Sequence, residues 1–141
     1  MNKQEKNKFL EQNLISLDKL YELHKKVNKS DVSISKIYPV AIVWGGSFFI
    51  YDLDSSGKKY ELKLEHPSIM CMPKRMLASF PLEFYDMKAC AVVSQDSFDS
   101  FEGYIFILHE FVHCFQWNNY ENEIAFKEIT HVYNNLCWQW E

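Results

Sequence analysis

The stretch Gly103-Tyr104-Ile105-Phe106-Ile107-Leu108-His109-Glu110-Phe111-Val112-His113-Cys114-Phe115-Gln116-Trp117 decides how this chain is read. Its one formally charged side chain, Glu110, sits among apolar residues. Capping residues precede it at Asp99 and Ser100, with Glu102 close behind, so a helix is predicted from there to about Trp117. Residues four apart on a helix share a face. His109 and His113 therefore present two imidazoles side by side. Such a pair can grip one zinc ion, and Glu110 between them can act as general base toward water. Burying two imidazoles and a carboxylate without partners is costly, which favours a metal site over two core histidines.

Working outward, the whole chain fits one domain spanning residues 1–141. Hydrophobic residues make up 48%, enough for a real core, and the net charge is -4. That balance argues against a nucleic-acid binder, which needs a basic face, and gives no reason to invoke anionic membranes. The polar run from Met1 to Lys8 is not a secretory signal as written. The longest uncharged stretch, Ile37 to Tyr51, is too short and too interrupted to span a bilayer. Cys71, Cys90, Cys114 and Cys137 are scattered, with no C-x-x-C pair. Reduced thiols in a cytoplasmic protein are expected, rather than disulfides or a zinc finger.

Leu10, Leu14, Leu17, Leu20 and Tyr21 recur at helical spacing and predict an amphipathic helix over 6–27. Ile37 to Trp44 reads as a central strand, apolar on both faces. Gly45-Gly46 marks a turn, Ser47 to Leu53 a second strand, and 54–57 another turn. Lys58 to Glu65 alternates, with Tyr60, Leu62 and Leu64 on one side, as a half-exposed antiparallel strand would. Pro67, Pro73 and Pro81 suggest loops, with one short helix over 74–79. Lys88 to Ser94 is a fourth strand. Asn118-Asn119-Tyr120 reads as a short connection to a last helix over 121–135. The fold class is α+β.

The motif and its uncharged flanks resemble those of the zincin metallopeptidases. Within them the chain is similar to the small single-domain gluzincins, whose third zinc ligand is a glutamate from a later helix. The specific resemblance covers about residues 103–128. It is not similar to a metzincin, because positions 116 and 119 are Gln and Asn. The resemblance implies a zincin-like fold and a zinc metalloendopeptidase with ligands His109 and His113 and general base Glu110, acting on a peptide or protein substrate. It also implies that a substrate pairs with an edge strand above the motif helix, which would be Ala89 to Val93.

The third ligand stays open. An antiparallel helix hairpin turning near Asn118-Asn119 would bring Glu121 opposite His113. Asn122-Glu123 looks like the Asn-Glu pair of many gluzincins, so Glu123 is the alternate, ahead of Glu128 and Glu141. Tyr104, Tyr120, His131 and Tyr133 are candidates for an oxyanion donor. His24 and His66 read as solvated surface residues, Cys114 as a small core residue, and Trp117 as a packing residue. The rival reading is a catalytically inactive zincin-like interaction module, and a protein partner or a further C-terminal segment is the third alternative.

Overall fold

The computed structural model describes residues 2–28, 36–67 and 76–120. Two helices and a five-stranded mixed sheet make it an α+β structure. Helix α1 (Lys3–Asn28) opens at Asn2, whose Oδ1 accepts a hydrogen bond from the Glu5 amide at 2.8 Å. Strand β1 is Val40–Trp44, β2 is Ser47–Leu53, β3 is Tyr60–Pro67, β4 is Leu77–Leu82 and β5 is Lys88–Ser94. Helix α2 is Phe101–Tyr120. The strand order is β3-β2-β1-β5-β4. Only the central pair, β1 with β5, is parallel, in the register Val40↔Ala91. Every other pair is antiparallel.

Local chemistry explains much of this. Gly45 and Gly46 both take positive φ (58° and 77°), as a two-residue turn between twisted strands requires. β1 and β5 are apolar on both faces because both faces are covered. Against one face lie Phe9, Leu17 and Leu20 from α1 and Ile107, Leu108 and Phe111 from α2, packed on Val40, Ile42, Tyr51, Ala91 and Val93. Ala41, Ile50, Cys90 and Val92 form a second, smaller cluster on the other face with Met76, Leu82 and flanking Phe84. Asn13 is fully buried on the helix side yet satisfied. Its amide donates to the Tyr51 hydroxyl (3.2 Å) and accepts from Gln95 (3.1 Å).

The structure departs from the sequence expectations in five places. The region around Pro81, expected as loops with a short helix over 74–79, holds β4 from Leu77 onward, and 74–75 lie outside the described residues. A proline is tolerated there because β4 is an edge strand. Met76 and Leu82 turn their carbonyls inward to the amides of Ser94 and Met87, so Leu77, Ser79 and Pro81 point their backbone groups outward. Second, β5 is therefore an interior strand between β1 and β4, and not the edge expected for Ala89 to Val93.

Third, a bulge shifts the β2–β3 register, pairing Ile50 with Leu64 but Tyr51 with Leu62. The extra residue, Lys63, breaks the alternation, so Leu62 and Leu64 end on opposite faces. Fourth, His24 is not solvated. It is 6% exposed, bonds the Lys36 carbonyl through Nε2 at 3.1 Å and packs edge-on to Phe111. Fifth, α2 continues through 118–120, where a connection was expected. The expected glutamate helix lies outside the described residues. No helix among the described residues is long and apolar enough to cross a membrane.

Candidate metal centre

Ser100 caps α2 as expected, its Oγ accepting from the Gly103 amide at 3.2 Å. Gly103 then lets the helix approach the preceding 3-10 turn, Gln95–Phe98, very closely. A Cβ at Gly103 would lie 1.7 Å from the Ser97 carbonyl oxygen. Ile107, Leu108, Phe111 and Cys114 follow at three- and four-residue steps and are buried against the sheet. That packing fixes the rotation of the helix. His109 is left exposed, and Glu110 and His113 half-buried. The motif thus lies at the surface, whereas the sequence argument anticipated a buried polar site.

The two imidazoles converge. Their Nε2 atoms stand 3.0 Å apart, with ring planes nearly perpendicular (86°) and centroids 4.6 Å apart. One ligand atom from each of His109, Glu110 and His113 lies within 4.8 Å of the others. Two nitrogens at ~2.0–2.1 Å from a tetrahedral zinc are about 3.3 Å apart. The observed spacing needs only a few tenths of an ångström of opening, so the pair fits zinc. Imidazole nitrogens are also donors that zinc favours, and a carboxylate beside them suits a general base.

Further features of the site escape a reading by sequence alone. Gln116, one turn beyond His113, places its Oε1 2.9 Å from His113 Nδ1. The i,i+3 spacing was the available signal. Trp117, on the same stripe as His109 and His113, donates its indole N–H to the outward carbonyl of Ser79 in β4 at 3.1 Å. The histidine stripe is thereby pinned beside β4, an edge strand of the sheet among the described residues. A cleft of about 650 Å³ lies at the start of the same helix, with Leu77 on one wall and Phe106, one turn before His109, on another.

Some expected participants lie elsewhere. Tyr104 is roughly 140° around the helix from His109 and packs edge-on against Phe98 at 5.5 Å. The Tyr120 side chain, His131 and Tyr133 lie outside the described residues, as do Glu121, Glu123, Glu128 and Glu141. Cys114 is fully buried on the core face, away from the stripe. Burial, Cys90 and the Glu110 charge all push its thiol above the ordinary range, consistent with an inert core residue. Comparison with family models, with curated proteins and with solved structures finds no match to this chain.

Proposed function

We propose that this chain is a zinc-dependent metallopeptidase of zincin type, working in the cytoplasm on a peptide or protein substrate. The observation that carries the reading is the convergence of His109 Nε2 and His113 Nε2 to 3.0 Å, with the Glu110 carboxylate beside them. His109 and His113 hold the metal, and Glu121, or alternatively Glu123, completes the set from the segment that follows α2. Bound zinc supplies Lewis-acid polarisation of the scissile carbonyl and lowers the pKa of water. Glu110 accepts the proton of the attacking water on its carboxylate and returns it to the leaving amine nitrogen. The outward groups of β4, Leu77 N–H and C=O and Ser79 N–H, pair with no other strand among the described residues and give an extended peptide a place to pair next to the histidine stripe. This edge takes the role expected of Ala89 to Val93.

The test is zinc per chain in protein purified without added metal, then hydrolysis of a quenched fluorogenic peptide library. Wild type should hold close to one equivalent, and His109→Ala and His113→Ala should lose it. Glu110→Gln should keep the zinc and lose hydrolysis by about 10²–10⁴-fold. Absence of zinc even after reconstitution would sink the metallocentre. A second reading, the inactive zincin-like interaction module, draws on the β4 edge. Trp117 occupies its Ser79 carbonyl and Pro81 has no N–H to offer, so the edge is half closed. Full zinc without measurable hydrolysis across the library would favour that reading.

A further inference from the structure

Strand β4 presents its outer edge unevenly. Ala78 and Phe80 turn their backbone groups to β5, so the outward groups belong to Leu77, Ser79 and Pro81. Pro81 has no N–H. Leu77 and Ser79 are therefore the positions where an added strand could exchange both backbone bonds. One of their groups is already engaged: the Trp117 indole nitrogen donates to the Ser79 carbonyl at 3.1 Å. The amide nitrogen of an added strand would stand at about 2.9–3.0 Å from the same oxygen. Neighbouring strands run about 4.8 Å apart, so an indole bonded at this distance lies in the path of the incoming chain. The ring is half-buried, packed against the core on the helix side of the sheet.

We propose that Trp117 is an autoinhibitory latch on the β4 edge: an extended peptide pairs fully with Leu77 and Ser79 only by displacing the indole from the Ser79 carbonyl. This rests on the edge-pairing part of the function proposed above and not on the zinc. With the latch closed, a peptide has one complete pair, at Leu77, and half a pair at Ser79. A single complete pair leaves the chain beyond it unaligned. Opening exchanges one indole bond for one backbone bond, so the latch weakens binding modestly and does not abolish it. Closed indole and fully paired peptide exclude each other, so each weakens the other by the same factor. Trp117 shares a helix face with His109 and His113, one turn beyond His113, so the latch opens beside the proposed ligands.

Peptide binding to the full chain, stripped of metal with a chelator, tests the latch without the zinc. Strand addition is carried by the peptide backbone, so the probe is a fluorescein-labelled hexapeptide pool with randomised side chains, read by anisotropy. Trp117→Phe keeps an aromatic ring and drops the N–H. It should bind the pool about 2–10-fold more tightly than wild type. A Trp117 with a merely structural role would make this variant bind equally or more weakly, and that result overturns the proposal. ¹H–¹⁵N spectra of the wild type give a readout that requires no variant. The Trp117 indole N–H, assigned by its through-space contact with Ser79, should lose that contact and exchange faster with solvent as the pool is added. An indole that keeps the contact while peptide is bound also overturns the latch.

A pool that binds neither form at millimolar concentration removes the β4 edge as a peptide site and the latch with it, while the zinc content of the wild type still decides the metal centre. A wild type that holds no zinc, yet binds the pool more weakly than Trp117→Phe, defeats the metallopeptidase reading and leaves the latch standing. Where the peptide library is hydrolysed, the gain in Trp117→Phe should fall on KM rather than on kcat. A loss confined to kcat would make Trp117 a support of the histidine stripe and would refute the latch.

Discussion

The two sides of α2 obey different rules. The inner side, Ile107, Leu108, Phe111 and Cys114, is shaped by packing against the sheet and is nearly inaccessible. The outer side, His109, His113 and Trp117, is shaped by polar contacts: two ring nitrogens facing each other, Gln116, and the Ser79 carbonyl. The inner side supplies stability and sets the rotation of the helix. The outer side takes that rotation as given and carries the candidate site. Stability and site can therefore be perturbed separately, which gives the contrast its experimental content.

The sharpest separation comes from a pair of substitutions. Phe111→Ala should cost about 3–5 kcal/mol in denaturant unfolding, because it empties a site where α1, α2 and the sheet meet. His109→Ala, in metal-free protein, should stay within about 0.5 kcal/mol of wild type, since the ring is exposed. A metal-free His109→Ala as unstable as Phe111→Ala would erase the distinction between the two sides. Gly103→Ala should come next, at roughly 2–4 kcal/mol. Its added Cβ meets a backbone oxygen that cannot swing away, so the helix start or the Gln95–Phe98 turn has to shift.

The third test uses pH on two buried thiols, Cys114 on the inner side and Cys90 on the opposite face of the sheet. Burial pushes the Cys90 thiol from 9.0 up to about 12 and raises Cys114 as well. Both thiols stay protonated in the folded chain where they would ionise in the unfolded one. The unfolded state then binds fewer protons, so stability is intact below about pH 9 and falls as pH rises toward the folded value. Each thiol adds a slope of up to about 1.4 kcal/mol per pH unit in that window, and Cys90→Ala should flatten it. The smallest effect is expected at the outer side. Trp117→Phe keeps an aromatic ring but drops the bond to Ser79, and should cost about 1 kcal/mol. A much larger loss would show that the outer side carries stability too.

The inner side was legible in the sequence because burial leaves a periodic trace. The spacing of Leu10, Leu17 and Leu20, the Gly45-Gly46 turn, β2 and β5 to the residue, and the Ser100 cap follow from local pattern. H-E-x-x-H likewise announces two rings on one face. What escaped depended on neighbours distant in sequence. Pro81 disguised β4, because only the position of the strand at the sheet edge makes a proline acceptable. His24 reads as polar until Lys36 and Phe111 enclose it. The Lys63 bulge is a property of pairing with β2 and leaves no mark in the alternation of β3 alone. The choice between Glu121 and Glu123 as third ligand of the proposed metal set turns on chain beyond Tyr120, and spacing alone left both open.

The parallel seam between β1 and β5 has a bearing on how the molecule assembles. β1, β2 and β3 pair through short connections, and so do β4 and β5. Backbone pairing joins these two packets along the β1–β5 seam, Val40 to Val43 against Ala91 to Ser94. Closing a long loop costs more chain entropy than closing a short one, so the packets are expected to form first and the seam last. Helix α2 packs chiefly on β4 and β5, and α1 has its main strand contact with β3. The histidine stripe therefore rides on one packet, and the core meant to hold it still is completed only when the seam zips. Pulse-labelled amide exchange during refolding, with protection at Ala91 to Ser94 trailing the hairpin of β1 and β2, would reveal that order.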